Sequence, residues 1–199
     1  MIMAAGVVYS GNAFDVEREL YQTKTGYRLS GGFIPANGEI ETLSAKAELP
    51  TLCPIQLDFN ARSFKVVRNI KVYAAAASGA TTVKIEKGSS AKVGDKFYLS
   101  ESEYITISAI DKTNVDYDSL TVGALTAAIA AATVLITTDT VTSYNTHAVA
   151  NSLLYTKKKI ESGMSVTALG QAYEIDEANL YIPLRAEDKA GLTSRFMFV

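Results

Sequence analysis

The stretch that decides the fold class is residues 79–122, GATTVKIEKGSSAKVGDKFYLSESEYITISAIDKTNVDYDSLTV. Apolar and polar residues alternate in residues 82–86 and again in residues 104–109. A period of two is expected for strands that bury one face and expose the other. The pattern predicts four short strands, with residues 134–137 as a candidate fifth, and therefore a small barrel or sandwich.

Turn residues separate these predicted strands. Gly88 opens one turn and the Gly94-Asp95 pair another, and glycine is suited to both because it adopts a positive φ without steric cost. Residues 111–117, DKTNVDY, form the third turn signal. Close spacing of strands and turns favours an antiparallel module over a βαβ unit.

The flanking sequence predicts a second group of strands. Residues 53–67, CPIQLDFNARSFKVV, are typical of a hairpin that turns at residues 59–62. We expect residues 27–75 and 142–199 to pair with each other as one discontinuous β base domain, resembling a sandwich or barrel. The module at residues 78–138 would then be inserted between its halves as a small β-barrel.

The chain as a whole is predicted to be all-β with few short helices. Residues 1–26, which begin with the apolar run MIMAAGVVYSG, are interpreted as an N-terminal arm. The alanine-rich residues 124–132 favour a short helix.

Four further local predictions concern turns and strands of the base. The Asn-Gly pair in residues 36–39 predicts a tight turn of the kind found in hairpins, and residues 187–191 a polar turn. Residues 166–169 and 173–175 are expected to form two paired strands, and residues 181–184, which include Pro183, an edge strand.

Composition and charge exclude several functional classes. The formal net charge is −2, which gives no field to attract a nucleic acid, and the run Lys157-Lys158-Lys159 is interpreted as solvated surface. The apolar residues 122–136 are shorter than the ~20 residues of a membrane-spanning helix. The start has no signal-peptide pattern, so the chain is expected to stay where it is made or to leave by lysis.

The sequence offers few residues for catalysis or metal binding. His147 is the only histidine and Cys53 the only cysteine, so we interpret them as structural and expect no zinc site. No G-x-S-x-G nucleophile motif or phosphate-binding loop occurs. The carboxylate pairs Asp116 with Asp118 and Asp176 with Glu177 could in principle serve acid–base or calcium chemistry. Strand and turn aspartates are more often turn formers.

No catalytic residue, metal ligand or cofactor site is therefore predicted, and the chain is not expected to be an enzyme. An enzymatic alternative would have to rely on Asp116, Asp118 and His147.

Three runs carry a resemblance to a known family. They are PIQLDFNARSFKVVRNIKVYAAA (54–76), GATTVKIEKGSSAKVGDKFYL (79–99) and AIDKTNVDYDSLTVGALTAAIAAATVL (109–135). In this order they resemble the head fibre, or capsid decoration, proteins of tailed bacteriophages, and the likeness covers most of residues 34–140.

The resemblance implies a non-enzymatic virion protein, made in the cytoplasm of the bacterial host. It would lie on the outer surface of the phage head, commonly as a homotrimer bound to the major capsid protein. The long fibrous tail that head fibres often carry is missing from this sequence, which favours a short decoration protein.

One alternative from another functional class stays open at this point. The module could bind a carbohydrate on a host surface through exposed aromatic residues such as Tyr98, Tyr104 and Tyr117. Neither function requires a cofactor, a membrane or a nucleic acid.

Overall fold

The computed structural model describes residues 22–43, 48–89, 91–100, 103–139 and 146–199. Residues 1–21, most of the predicted arm, lie outside the described residues, as do residues 140–145 of the return to the base. The strands are β1 (Gln22–Arg28), β2 (Ile34–Pro35), β3 (Glu48–Leu49), β4 (Pro54–Asp58), β5 (Ser63–Val66), β6 (Ile70–Lys71), β7 (Thr82–Glu86), β8 (Lys96–Ser100), β9 (Glu103–Thr106), β10 (Ala109–Asp111), β11 (Tyr117–Thr121), β12 (Val134–Thr138), β13 (Ser152–Leu154), β14 (Lys158–Lys159), β15 (Ala168–Ile175) and β16 (Phe196–Phe198). The helices are α1 (Glu39–Thr42) and α2 (Ala186–Leu192), with single 3₁₀ turns at Glu177–Asn179 and Thr193–Arg195. The predicted all-β class is confirmed.

The largest sheet, which we call the base sheet, combines strands from the two ends of the described chain. Its order is β1-β15-β13-β4-β5-β2, and β16 adds in parallel to β15. The predicted hairpin is present, because β4 and β5 are antiparallel partners joined by residues 59–62. Alternation explains the hairpin: Ile55, Leu57, Phe64 and Val66 are buried, whereas Gln56 and Asp58 between them are exposed.

Residues 70–138 form two further sheets, which we call the middle sheets. One has the order β10-β11-β7 and the other β6-β12-β8-β9. The strands predicted at residues 82–86 and 134–137 are confirmed, as are turns at Gly88 and Gly94, both with positive φ. The barrel prediction is wrong, since no sheet of the described residues closes on itself. The strands are too short and too few in each sheet to complete a ring of hydrogen bonds.

The predicted helix at residues 124–132 is absent. These residues instead run beside residues 72–81 and exchange backbone hydrogen bonds with them, including Ile129 N–H to Ala76 O at 2.8 Å and Ala76 N–H to Ile129 O at 2.9 Å. Leu125 and Ile129 are buried in the core of the middle sheets. A nine-residue alanine-rich segment gains little as an isolated helix, so tertiary pairing outweighs its propensity.

Three local predictions for the base are also wrong. Residues 168–175 form the single strand β15 in place of two paired strands, and no strand forms at residues 181–184. Residues 186–192 are helical where a polar turn was expected, because Asp188 reaches back to the Arg185 N–H at the start of α2. The turn at residues 37–38 is confirmed, but it leads into α1 and not into a hairpin.

The hydrophobic clusters follow the strand pairing. One cluster lies between residues 33–66 and 154–182 and a second within residues 70–135. A third joins Leu52 and Val67 to residues 148–196.

Strand β6, expected in the base, pairs with β12 of the middle sheets. The division into arm, base and inserted domain stays a prediction.

Among the described residues, no helix has the length and apolar character needed to cross a membrane.

Candidate functional site

Buried polar side chains concentrate where the chain crosses between the base sheet and the middle sheets. The outward crossing is residues 67–69, and the described part of the return crossing is residues 137–139 and 146–150. We call the buried polar residues of this region the junction. They are Glu39, Arg68, Asn69, Asp95, Thr137, Thr138, His147, Arg185 and Asp188. Buried polar groups are costly unless hydrogen-bonded, so a satisfied network fixes a particular geometry.

His147 lies at the centre of the return crossing, with its side chain 5% exposed. Its Nε2 is 3.0 Å from Glu39 Oε2, and its Nδ1 is 2.7 Å from Asp139 Oδ1. Its backbone N–H donates to Thr137 O at 3.0 Å. These contacts fit the interpretation of His147 as a structural residue. The side chain therefore ties α1 to the end of β12.

Two opposing effects set the pKa of His147. Burial by itself lowers the pKa, because it disfavours the charged imidazole. The hydrogen bond to Glu39, the charge of Glu39 and the charge of Asp139 raise it, and Arg68 lowers it slightly. The net result is a pKa above the usual value of 6.5.

The outward crossing is held by a buried ion pair. Arg68 Nη1 is 2.8 Å from Asp95 Oδ1, with both side chains almost fully buried. Asp95 also accepts the Lys92 N–H at 3.0 Å, in the turn that precedes β8. The Arg68 carbonyl accepts the Thr137 hydroxyl at 2.5 Å, which connects the two crossings.

Asp188 of α2 is the third anchor of the junction and is fully buried. Its Oδ1 accepts the Ala150 N–H at 3.0 Å. Its Oδ2 accepts Asn69 Nδ2 at 2.9 Å and the Arg185 N–H at 3.1 Å. One carboxylate thus joins the outward crossing, the return crossing and α2.

The carboxylate pairs named from sequence do not form paired sites. Asp118 is buried in β11 with its Oδ1 2.7 Å from Lys87 Nζ, whereas Asp116 is exposed in the preceding turn. Glu177 forms an ion pair with Lys189 at 2.7 Å. Among the described residues, no group of three or more His, Cys, Asp or Glu side chains is placed to hold a metal ion.

Cys53 and the lysine run occupy structural positions. Cys53 is buried in the base core, and burial followed by the charge of Glu39 raises the pKa of its thiol well above the usual value. The thiol therefore stays protonated and is a poor nucleophile. Lys158 and Lys159 form β14, which pairs with β3.

The three tyrosines named from sequence do not form one exposed surface. Tyr98 is buried, whereas Tyr104 opposite it on β9 is 43% exposed. Tyr117 lies on the other middle sheet and pairs with Tyr73, which is 47% exposed, with ring centroids 5.4 Å apart. Lys84 Nζ lies 4.5 Å from the Tyr117 ring centroid.

A groove of about 560 Å³ lies along the β4–β5 hairpin. Gln56, Asp58, Phe59 and Lys65 are among the residues that line it. Phe59 is 52% exposed at the tip of the hairpin, and Ile34 in the neighbouring β2 is 56% exposed. We call Ile34, Phe59 and Arg62 the hairpin end.

Sequence reasoning missed the junction because its partners are far apart in the chain. Glu39 and His147 are 108 residues apart, and Asn69 and Asp188 are 119 apart. No local pattern links such residues, since their proximity results from the pairing of the base sheet. The one usable signal in the sequence is that His147 is the single histidine, which favours a structural role for it.

Comparison with protein-family models, with curated proteins and with solved structures gave no match.

Proposed function

We propose that the chain is a non-enzymatic virion structural protein. It decorates the outer surface of a phage head, binds the major capsid protein and stabilises or extends the capsid surface. The observation that carries the proposal is the sequence resemblance of residues 34–140 to phage head fibre and decoration proteins. A decoration protein stabilises a capsid by binding the assembled lattice in preference to its dissociated parts.

The structure supports this proposal by what the similar runs form. Residues 54–76 contain the β4–β5 hairpin, and residues 79–99 and 109–135 contain strands of the middle sheets. The similar runs therefore form strands of the sheets. Such strands hold the exposed surfaces through which a structural protein binds its partners.

The hairpin end is the surface best suited to contact a capsid. Exposed large apolar side chains beside a sheet edge favour contact with another protein. Arg62 lies over the Phe33 ring at 4.4 Å from the centroid and donates to Ser30 O at 2.7 Å. Phe59 packs edge-on against the same ring at 5.8 Å. The apolar tip is thus held in place before a partner binds, which lowers the entropic cost of binding.

Co-sedimentation with purified expanded capsids tests this assignment. We expect the wild-type chain to sediment with capsids and Phe59→Ser to bind at least about tenfold more weakly, as for a central interface residue. Tyr104→Ser is the matched control, because it removes an aromatic ring of similar exposure from β9. Equal binding of the wild type and Phe59→Ser would exclude the hairpin end as the capsid contact.

A second candidate function is carbohydrate binding, favoured by the Tyr73–Tyr117 pair. The exposed Tyr73 ring offers a stacking surface for a sugar, and Lys84, beside Tyr117, offers a hydrogen-bond donor. A glycan array would support this candidate if Tyr73→Ala abolished a signal that the wild type gives. The absence of any wild-type signal would remove it.

A further inference from the structure

The two contacts of His147 with Glu39 and Asp139 require two N–H donors, and a neutral imidazole has only one. Each ring nitrogen lies within 3.0 Å of a different carboxylate oxygen. An ionised carboxylate only accepts hydrogen bonds, and a neutral imidazole has a single N–H donor. In the charged imidazolium both nitrogens donate, so both contacts become charge-assisted hydrogen bonds. With both carboxylates ionised, this geometry therefore favours the charged form of the imidazole.

We propose that Glu39, His147 and Asp139 form a proton-dependent clamp in which the charged imidazole binds Asp139 and Glu39 together, and in which the Asp139 contact opens when the proton leaves. The clamp is a property of the fold and does not depend on capsid binding.

The two carboxylates differ in their freedom to respond. Glu39 is 2% exposed, and its Oε1 accepts the Val66 N–H at 2.8 Å. The Asp139 side chain is 48% exposed and can turn into water. When the imidazole loses a proton, we therefore expect the Asp139 contact to open and the Glu39 contact to persist. Opening releases the Asp139 side chain from the imidazole, while the His147 N–H still donates to Thr137 O of β12.

The charged groups around the imidazole come from each neighbouring element. Glu39 belongs to α1, Asp139 follows β12, and Arg68 belongs to the outward crossing, where Asp95 pairs with its charge. Cys53, near Glu39, stays a neutral thiol because burial raises its pKa.

These charges fix the direction of the pH dependence. The pKa of His147 is raised in the folded chain relative to 6.5. A raised pKa means that the stabilisation is fully present below about pH 6.5 and is lost as the pH rises through the folded value. The clamp is therefore closed in mildly acidic solution and open in alkaline solution.

Nuclear magnetic resonance tests the clamp directly, because the chain has one histidine and its ring signals need no further assignment. We expect the wild-type pKa to lie above 6.5 and Asp139→Asn to lower it, since a neighbouring negative charge is lost. Asp116→Asn, the same change at an exposed turn, should leave it unchanged. An imidazole that is neutral at about pH 6, or one insensitive to Asp139→Asn, would overturn the proposal.

Unfolding by urea as a function of pH gives a second readout. His147→Gln keeps a polar side chain but cannot titrate. We expect the ratio of the variant's unfolding constant to that of the wild type to fall about tenfold for each unit by which the folded pKa exceeds 6.5. The fall should occur as the pH rises from about 6 to about 9. A ratio independent of pH would contradict the clamp. If His147→Gln does not fold, Asp139→Asn provides the comparison.

Discussion

Gly191, in the last turn of α2, sits against the backbone of the return crossing. A Cβ added at Gly191 would lie 2.3 Å from the Ala150 carbonyl oxygen, a backbone atom that cannot move aside alone. Ala150 precedes β13, and its N–H donates to Asp188 of the same helix. The absence of a side chain at Gly191 therefore allows α2 to pack on the junction.

We predict that Gly191→Ala destabilises the chain by about 2 kcal/mol, within the range for inserting a methyl group into a packed site. Helix propensity alone would favour alanine by about 1 kcal/mol, so the sign of the effect decides between the two causes. Urea unfolding measures it, with Gly123→Ala as control because that position has open space around it. A more stable Gly191→Ala variant would show that α2 does not pack as described.

The Lys87–Asp118 ion pair, of which only Asp118 is buried, predicts a second residue-scale effect. Asp118→Asn removes the charge that faces Lys87, but Lys87 is 33% exposed and can turn to water. We therefore expect a loss of about 2 kcal/mol, less than for a fully buried pair. Asp116→Asn, in the exposed turn, should change stability by less than about 0.5 kcal/mol. Equal effects at both positions in thermal or urea unfolding would contradict the difference in burial.

Sequence patterns anticipated single residues only in part. Cys53 was rightly interpreted as a packed side chain, because isolated cysteines in apolar surroundings are usually buried. Asp118 is buried, although the sequence favours a turn former there, and its partner Lys87, which follows β7, is not visible in the DYD pattern. Glu39 was not identified at all, because its partner follows 108 residues later.

Among the elements, the segment of residues 122–133 is the clearest case in which pairing determines structure. Its backbone bonds to residues 72–81 place Ile129 in the core of the middle sheets and leave Ala128 exposed. Ile129→Ala should destabilise the chain by about 3 kcal/mol, as for other buried isoleucines. Ala128→Ser should have an effect below about 0.5 kcal/mol. Similar effects of the two changes in urea unfolding would argue against the extended pairing.

The elements that sequence predicted well share two properties. The β4–β5 hairpin and strands β7 and β12 have strict alternation or clear turn residues, so local sequence and final burial agree. The elements that it missed depend on distant partners. Helix α2 begins with a cap from Asp188, which is buried against Asn69 and Ala150, and this burial has no local signature.

For the whole molecule, the base sheet predicts how a nicked chain behaves. Because β15 pairs with β1, and β13 pairs with β4, strands from the two ends of the described residues form one sheet. A protease site placed between residues 139 and 146 should yield two pieces that elute together from a sizing column and separate only in denaturant. Release of residues 146–199 as an independent folded piece would contradict the shared sheet.

The homotrimer that the sequence resemblance implies makes a prediction about mass. Light scattering on a sizing column should give about 64 kDa, three times the 21.3-kDa chain, since closed symmetric assemblies are the common oligomers. A monomer in solution would require that the capsid lattice itself brings the three copies together.

The most direct test of the proposed capsid decoration is binding of the wild-type chain to purified expanded capsids over a range of salt concentrations, followed by co-sedimentation. We predict saturable binding that persists as salt increases, because the exposed side chains of Ile34 and Phe59 are apolar and their contacts are not screened. Failure to sediment with capsids at every salt concentration would contradict the proposed function.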